Sequence, residues 1–265
     1  MSGADRQPNL SVELQTLLAG CAMTANSIGH SGSAVYRIHD FQGRAAYLKI
    51  SPSAWNMTLS GERDALNWLK SKAPVPELLY FETYNGMDYI LTSEIAGQDA
   101  SRDANLAHPE QTVRLYAEGL RMLHRIPIKE CPLDRTLTSK LKLAERRIEE
   151  GLVGEDNLEA ENGNRQPIEI YRELLDSQPR KEDLVFAHGD YCMPNVILGG
   201  DRVAGFIDLG GAGIADRYQD LALAVRSLRH NYQTDEYKSL FMACYGLRDW
   251  DEEKIDYYIL LDELF

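Results

Sequence analysis

His188, Asp190, Asn195 and Asp208 are polar residues at the mouths of short apolar runs, where strand backbone is firm and side chains can converge on one ligand. Mg2+ prefers hard oxygen ligands and takes only one or two carboxylates, leaving room for water and substrate phosphates. Asn195 and Asp208 supply that kind of partial shell. Asp190, ahead of Asn195 in the same segment, is a further oxygen group able to orient a hydroxyl nucleophile and accept its proton during phosphoryl transfer. Any one Asp at a strand end is usually a cap or a turn; the combined spacing is what points to chemistry.

Three compact apolar strands, at 184–187, 195–198 and 203–207, have to position these groups. Gly199, Gly200 and Asp201 sit where they make the last two a hairpin, which sets H-G-D-Y-C-M-P-N beside F-I-D-L-G. Upstream, 35–39, 44–50, 78–83 and 89–93 read as strands with turn residues at 40–43 and 84–88, and a weaker strand lies around 23–28. A short amphipathic helix is expected at 9–19 and another at 61–70, capped by Ser60 and closed before A-P-V-P. Past residue 95 the texture turns helical, at 109–125, 138–151, 167–177, 215–230, 235–245 and 251–263. The fold class is α+β in two lobes, a small antiparallel sheet with one helix and a larger, mainly helical part. Asp216 and Asp220 open the fourth of those helices and read first as caps, and Arg226 as structural.

With 265 residues, 44% of them hydrophobic, the chain can bury a sizeable core. Its 28 Lys and Arg stand against 41 Asp and Glu, a net charge of -13, so the surface repels polyanions and no nucleic-acid partner is expected. Cys21, Cys131, Cys192 and Cys244 lie far apart and read as reduced thiols rather than a zinc site or a disulfide framework. No stretch approaches the roughly 18 apolar residues of a spanning helix, and the first residues show no apolar run behind a basic start. The expectation is a cytoplasmic protein with no membrane partner.

H-x-D-x-x-x-x-N followed by Asp-x-Gly, here His188, Asp190, Asn195 and Asp208-Leu209-Gly210, resembles the protein-kinase-like catalytic core. H-G-D in place of H-R-D resembles its small-molecule branch. V-P-E-L-L-Y, F-I-D-L-G, A-D-R-Y-Q-D-L-A and the final Y-Y-I-L-L-D-E-L-F are similar to bacterial aminoglycoside 3'-phosphotransferases across almost the full length. That resemblance implies a protein-kinase-like two-lobe fold, with a nucleotide-binding lobe over 1–95, a hinge at 92–97 and a catalytic and aminoglycoside-binding lobe over 98–265. It implies transfer of the gamma-phosphoryl group of ATP, or of GTP, to the 3'-hydroxyl of an aminoglycoside, with Asp190 catalytic and Asn195 and Asp208 on Mg2+, and it suggests, behind capping, that Asp216 and Asp220 brace the catalytic loop.

Alternation along A-A-Y-L-K-I puts Ala46, Leu48 and Ile50 on one strand face and Tyr47 with Lys49 on the other. The resemblance assigns Lys49 to phosphate and Tyr47 to stacking on the purine. Glu62 shares a helical stripe with Ala65, Leu66 and Leu69; it is either a carboxylate wanting a cation or a first-turn acid favourable to the helix dipole. The resemblance pairs it with Lys49. It also places Ser31 and Ser33, in the Gly- and Ser-rich loop 27–36, over the phosphates, and the Ser93 carbonyl and Ile95 amide at the adenine edge.

Two acidic groups lack a neighbouring base, the segment 149–161 and the chain end with Asp262, Glu263 and the Phe265 carboxylate. By resemblance Glu159, Glu161, Asp262, Glu263 and Phe265 face the polycationic aminoglycoside. Acids at a helix C-terminus oppose its dipole, so Asp262 and Glu263 call for a purpose. One departure stands out: Gly211 occupies a position where the family commonly carries arginine. Two rivals are a kinase of another cationic or hydroxylated metabolite, such as choline or an amino sugar, and a non-catalytic nucleotide-binding protein. The presence of lysine, catalytic aspartate and metal aspartate together weighs against the latter.

Overall fold

A computed structural model describes residues 8–26, 33–53, 59–154, 158 and 162–265. Chain order begins with α1 (Val12–Leu17), β1 (Ala22–Asn26), β2 (Ala34–Phe41), β3 (Arg44–Pro52), α2 (Leu59–Leu69), β4 (Leu78–Tyr84) and β5 (Met87–Ser93). The five strands form one antiparallel sheet in the order β1-β2-β3-β5-β4. Two turns set its registers. Phe41 pairs with Arg44 across Gln42 and Gly43, and Tyr84 with Met87 across Asn85 and Gly86, each two-residue loop having both φ values positive. That is the turn whose twist matches paired strands, and Asn-Gly is its preferred sequence.

Along β3 the alternation is as expected: Ala46, Leu48 and Ile50 are buried, while Tyr47 and Lys49 are half-buried on the opposite face. The buried face of β3 packs with Leu14, Ile38, Phe41, Tyr89 and Leu91 into a small core. On α2 the inward stripe is Leu59, Glu62, Ala65, Leu66 and Leu69, with the Glu62 carboxylate only 4% exposed among apolar neighbours.

The larger part holds β6 (Gln98–Asp99), α3 (Asp103–Leu106), α4 (Pro109–His124), α5 (Leu137–Glu149), α6 (Pro167–Asp176), β7 (Leu184–Ala187), a 3-10 turn (Met193–Asn195), β8 (Val196–Leu198) and β9 (Val203–Phe206). It closes with β10 (Gly213–Asp216), α7 (Arg217–Tyr232), α8 (Tyr237–Tyr245) and α9 (Glu252–Asp262). β8 and β9 form the expected hairpin, with β6 added at its edge as a third strand. β7 pairs instead with β10, a strand the sequence pattern had merged into the following helix. α7 is buried on almost every side, which is why a helical stripe alone could not mark its start.

α2 packs its apolar stripe into the same core as α4, α7 and α9, so Glu62 is anchored from both sides. No helix among the described residues is long and apolar enough to cross a membrane.

Candidate active site

Lys49 projects from β3 to Glu62 of α2, its Nζ lying 2.9 and 3.0 Å from the two carboxylate oxygens. It also reaches Asp208 Oδ1 at 3.1 Å, so one ammonium joins the sheet, the helix and the D-L-G segment. Burial works against the Lys49 charge, but Asp208 and Glu62 outweigh it and raise its pKa above the ordinary lysine value. Lys49 also holds the Asp208 carboxyl below the usual aspartate range. The helix-dipole alternative for Glu62 is thereby answered: its carboxylate is spent on Lys49.

Asp208 sits at φ 60, in the left-handed region that non-glycine residues rarely adopt. Gly189 is at φ 85, and a Cβ there would come within 2.1 Å of the Gly211 carbonyl oxygen. H-G-D therefore has a backbone reason: the two site segments pass too closely for any side chain at 189. Gly211 itself is under no such demand. A Cβ there would make ordinary contacts at 3.4 and 3.5 Å with Gly189. The Arg135 guanidinium reaches this corner from another element, donating to the Gly210 carbonyl at 3.4 Å.

Asn195 Nδ2 donates to the Asp190 carbonyl at 3.0 Å and to Asp190 Oδ2 at 2.9 Å. Those donors fix the amide's orientation and leave Asn195 Oδ1 without a donor among the described residues. Burial, then the nearby Asp262 charge, raise the Asp190 carboxyl above the usual range. Such a shift favours a group that must take up a proton near neutrality. His188 Nε2 donates to the Ile207 carbonyl at 3.0 Å, and the Asp190 amide approaches its Nδ1 at 3.3 Å. A carbonyl can only accept and an amide only donate, so the ring is a spacer between the loop and β9's end.

Asp216 is the expected cap of α7, accepting from the Tyr218 amide, and it also takes Lys254 Nζ at 2.5 Å. Asp220 is not a cap. Fully buried, it accepts from the His188 amide at 2.6 Å, the Gly189 amide at 2.8 Å and His124 Nε2 at 3.0 Å. A helix interior, rather than a helix end, thus holds the loop that carries Asp190.

Tyr47 donates to Glu94 Oε1 at 3.2 Å, and Arg37 forks onto both Glu94 oxygens at 3.0 and 3.2 Å, tethering the rim of the sheet. The Ile95 amide donates to no protein group among the described residues, whereas the Ser93 amide is taken by the Glu77 carbonyl. Ser33 is half-buried just before β2; Ser31 lies outside the described residues, as do Glu159 and Glu161.

The end of α9 is not an uncompensated acidic wall. Asp262 pairs with Arg226 of α7 at 2.5 Å, and buried Glu263 accepts from Asn162 Nδ2 at 2.8 Å. Arg147 of α5 donates to the Leu264 and Phe265 carbonyl oxygens at 2.9 and 2.7 Å, and Lys140 Nζ lies 4.8 Å from the Phe265 ring centre. The bases come from distant elements, which segment-by-segment charge counting could not reveal. They also answer the dipole objection to acids at this helix end.

Residues 23–255 match the model of the phosphotransferase enzyme family. The chain is 50% identical over 253 residues to an aminoglycoside 3'-phosphotransferase of Niallia circulans, covering 96% of each chain. A crystal structure of a type VIII aminoglycoside-3'-phosphotransferase superposes with a TM-score of 0.84 at 32% identity, covering 93% of this chain and 94% of that one. A Streptomyces rimosus aminoglycoside phosphotransferase in complex with ADP and streptomycin gives a TM-score of 0.78 at 31% identity, covering 95% and 97%. With half of the aligned residues identical to a relative matched over 96% of both chains, and the fold shared with a solved member over 93% of this one, the chain belongs to the aminoglycoside 3'-phosphotransferase family.

Proposed function

We propose that the protein transfers the gamma-phosphoryl group of a nucleoside triphosphate to the 3'-hydroxyl of an aminoglycoside. The observation that carries it is the pairing of two half-sites. Lys49, held by Glu62, meets Asp208 on one side, and Asp190, held by Asn195, stands on the other in a loop braced by Asp220. ATP is the favoured donor, in keeping with the ADP bound by the Streptomyces rimosus relative.

Residues 1–95 would form the nucleotide lobe and 98–265 the acceptor lobe, joined by a hinge at 92–97. Tyr47 would stack on the base, with the Ile95 amide and the Ser93 carbonyl at its edge and Ser31 and Ser33 over the phosphates. Asn195 Oδ1, free of donors among the described residues, and Asp208 would hold Mg2+, which would neutralise phosphate charge when bound. Asp190 would accept the hydroxyl proton as the new P–O bond forms and the bond from the gamma phosphorus to the departing nucleoside diphosphate breaks, and the rest of catalysis is positioning. Glu159, Glu161, Asp262, Glu263 and Phe265 would receive the ammonium groups of the acceptor.

Phosphate transfer should be measured to kanamycin, to a 3'-deoxy aminoglycoside and to choline. Transfer to kanamycin alone is expected; transfer to the 3'-deoxy compound at a comparable rate would reject the 3' assignment, and preference for choline the acceptor class. Lys49→Met should raise the nucleotide KM at least tenfold and leave the kanamycin KM unchanged, as steady-state kinetics with each substrate varied will show. A matching rise in both KM values would reject the division of labour between Lys49 and the acceptor wall.

A further inference from the structure

Away from the cleft, the end of α4, the start of α7 and the end of α8 enclose a hollow of about 290 Å³ lined by Arg121, His124, Arg125, Arg217, Tyr245, Gly246 and Leu247. Three arginines around one concavity are out of keeping with a chain of net charge -13. Arg217 pairs with Asp183, but the side chains of Arg121, half-buried, and Arg125, exposed, have no hydrogen bond or ion pair among the described residues. Glu118, in the adjoining hollow with Arg121 and Arg125, is exposed and takes neither of them.

This hollow is wired to the catalytic loop. Arg217 Nη1 donates to the Tyr245 hydroxyl at 3.1 Å, that hydroxyl meets His124 Nδ1 at 2.7 Å, and His124 Nε2 meets Asp220 Oδ2 at 3.0 Å. Asp220 in turn holds the His188 and Gly189 amides. A guanidinium only donates and a carboxylate only accepts, so the Tyr245 hydroxyl accepts from Arg217 at one end and His124 Nε2 donates to Asp220 at the other.

We propose that this hollow binds a phosphate-type oxyanion and that the bound anion tightens the catalytic loop through Tyr245, His124 and Asp220. Guanidinium groups match such oxygens in shape and charge. An anion bridging Arg217 to Arg121 and Arg125 ties the start of α7 to the end of α4, the two helix ends whose Arg217 and His124 meet Tyr245 of α8. Ordering them would then be shared by the two amides at the far end of this hydrogen-bond relay.

The test uses the full chain saturated with ADP, which fills the nucleotide site, and titrates inorganic phosphate at constant ionic strength set by chloride. Calorimetry should show phosphate binding at least tenfold weaker in Arg121→Gln/Arg125→Gln than in the native chain. Basal phosphotransfer without phosphate should be the same in both. Hydrogen exchange at the His188 and Gly189 amides should slow several-fold on phosphate addition in the native chain alone. Running glycerol phosphate in parallel separates the sources: tighter binding than free phosphate assigns the site to a phosphorylated metabolite, weaker binding to the ion. Equal phosphate affinity in the two proteins, or unchanged amide exchange with phosphate bound, overturns the proposal.

Discussion

Asp190→Asn is expected to lower kcat by roughly 10²- to 10⁴-fold, the range over which positioned acid–base groups act, with ADP affinity within about twofold of the native value. The replacement has the same shape and still accepts the Asn195 amide, so the loop keeps its hydrogen bonds at the Asp190 carbonyl and side chain. What it loses is the ability to take a proton. Lys49 and Tyr47, proposed for the phosphates and the base, sit on β3 and share no hydrogen bond with Asp190 among the described residues. Steady-state kinetics with saturating kanamycin, beside a direct ADP titration, separates the two effects. If ADP binding is lost together with turnover, Asp190 is holding the nucleotide lobe rather than serving the acceptor.

Much of this site is written locally. The period of two in β3 is enough to turn Tyr47 and Lys49 the same way, and the period of 3.6 in α2 is enough to put Glu62 inside, because strand and helix faces follow from backbone geometry alone. The hairpin that sets Asn195 near Asp208 was legible for the same reason, since glycines announced its turn. Partners brought from a distance were not legible. Nothing near Asp262 announces Arg226, nothing near Glu263 announces Asn162, and Glu94 gave no sign that it anchors Tyr47 and Arg37. β10 escaped because Gly213–Asp216 is too short for a pattern and pairs with β7 across 26 or more residues of chain. For Asp262 and Glu263 the family resemblance supplies a proposed role where spacing could not.

At Asp220 the reading as a cap gives way to the loop-bracing role that the kinase resemblance suggests, and substituting it should have the second large effect. Near the start of a helix an aspartate reads as a cap, and Asp216 behaves as one. Asp220, one turn further in, instead takes three donors from two other segments at a point with no solvent access. Burial alone would raise its carboxyl, but the His124 hydrogen bond and charge hold it below the usual aspartate value. Removing one partner from such a buried network typically costs about 3–5 kcal/mol. For a chain of this length each kcal/mol is worth about 2–4 °C, so Asp220→Ala should lower Tm by roughly 10 °C. Asp220→Asn keeps the volume but turns an NH2 group toward backbone N–H or His124 N–H, so it should lose kcat as well as stability. Asp216→Ala, which breaks the cap and the Lys254 pair, supplies the control. It should lose stability while its folded fraction keeps a near-native kcat. Thermal unfolding and kinetics on the three variants at one temperature decide between bracing and capping. Should Asp220→Asn retain native kcat while losing Tm as Asp216→Ala does, Asp220 serves the fold alone, and the relay from the arginine-lined hollow has no catalytic end.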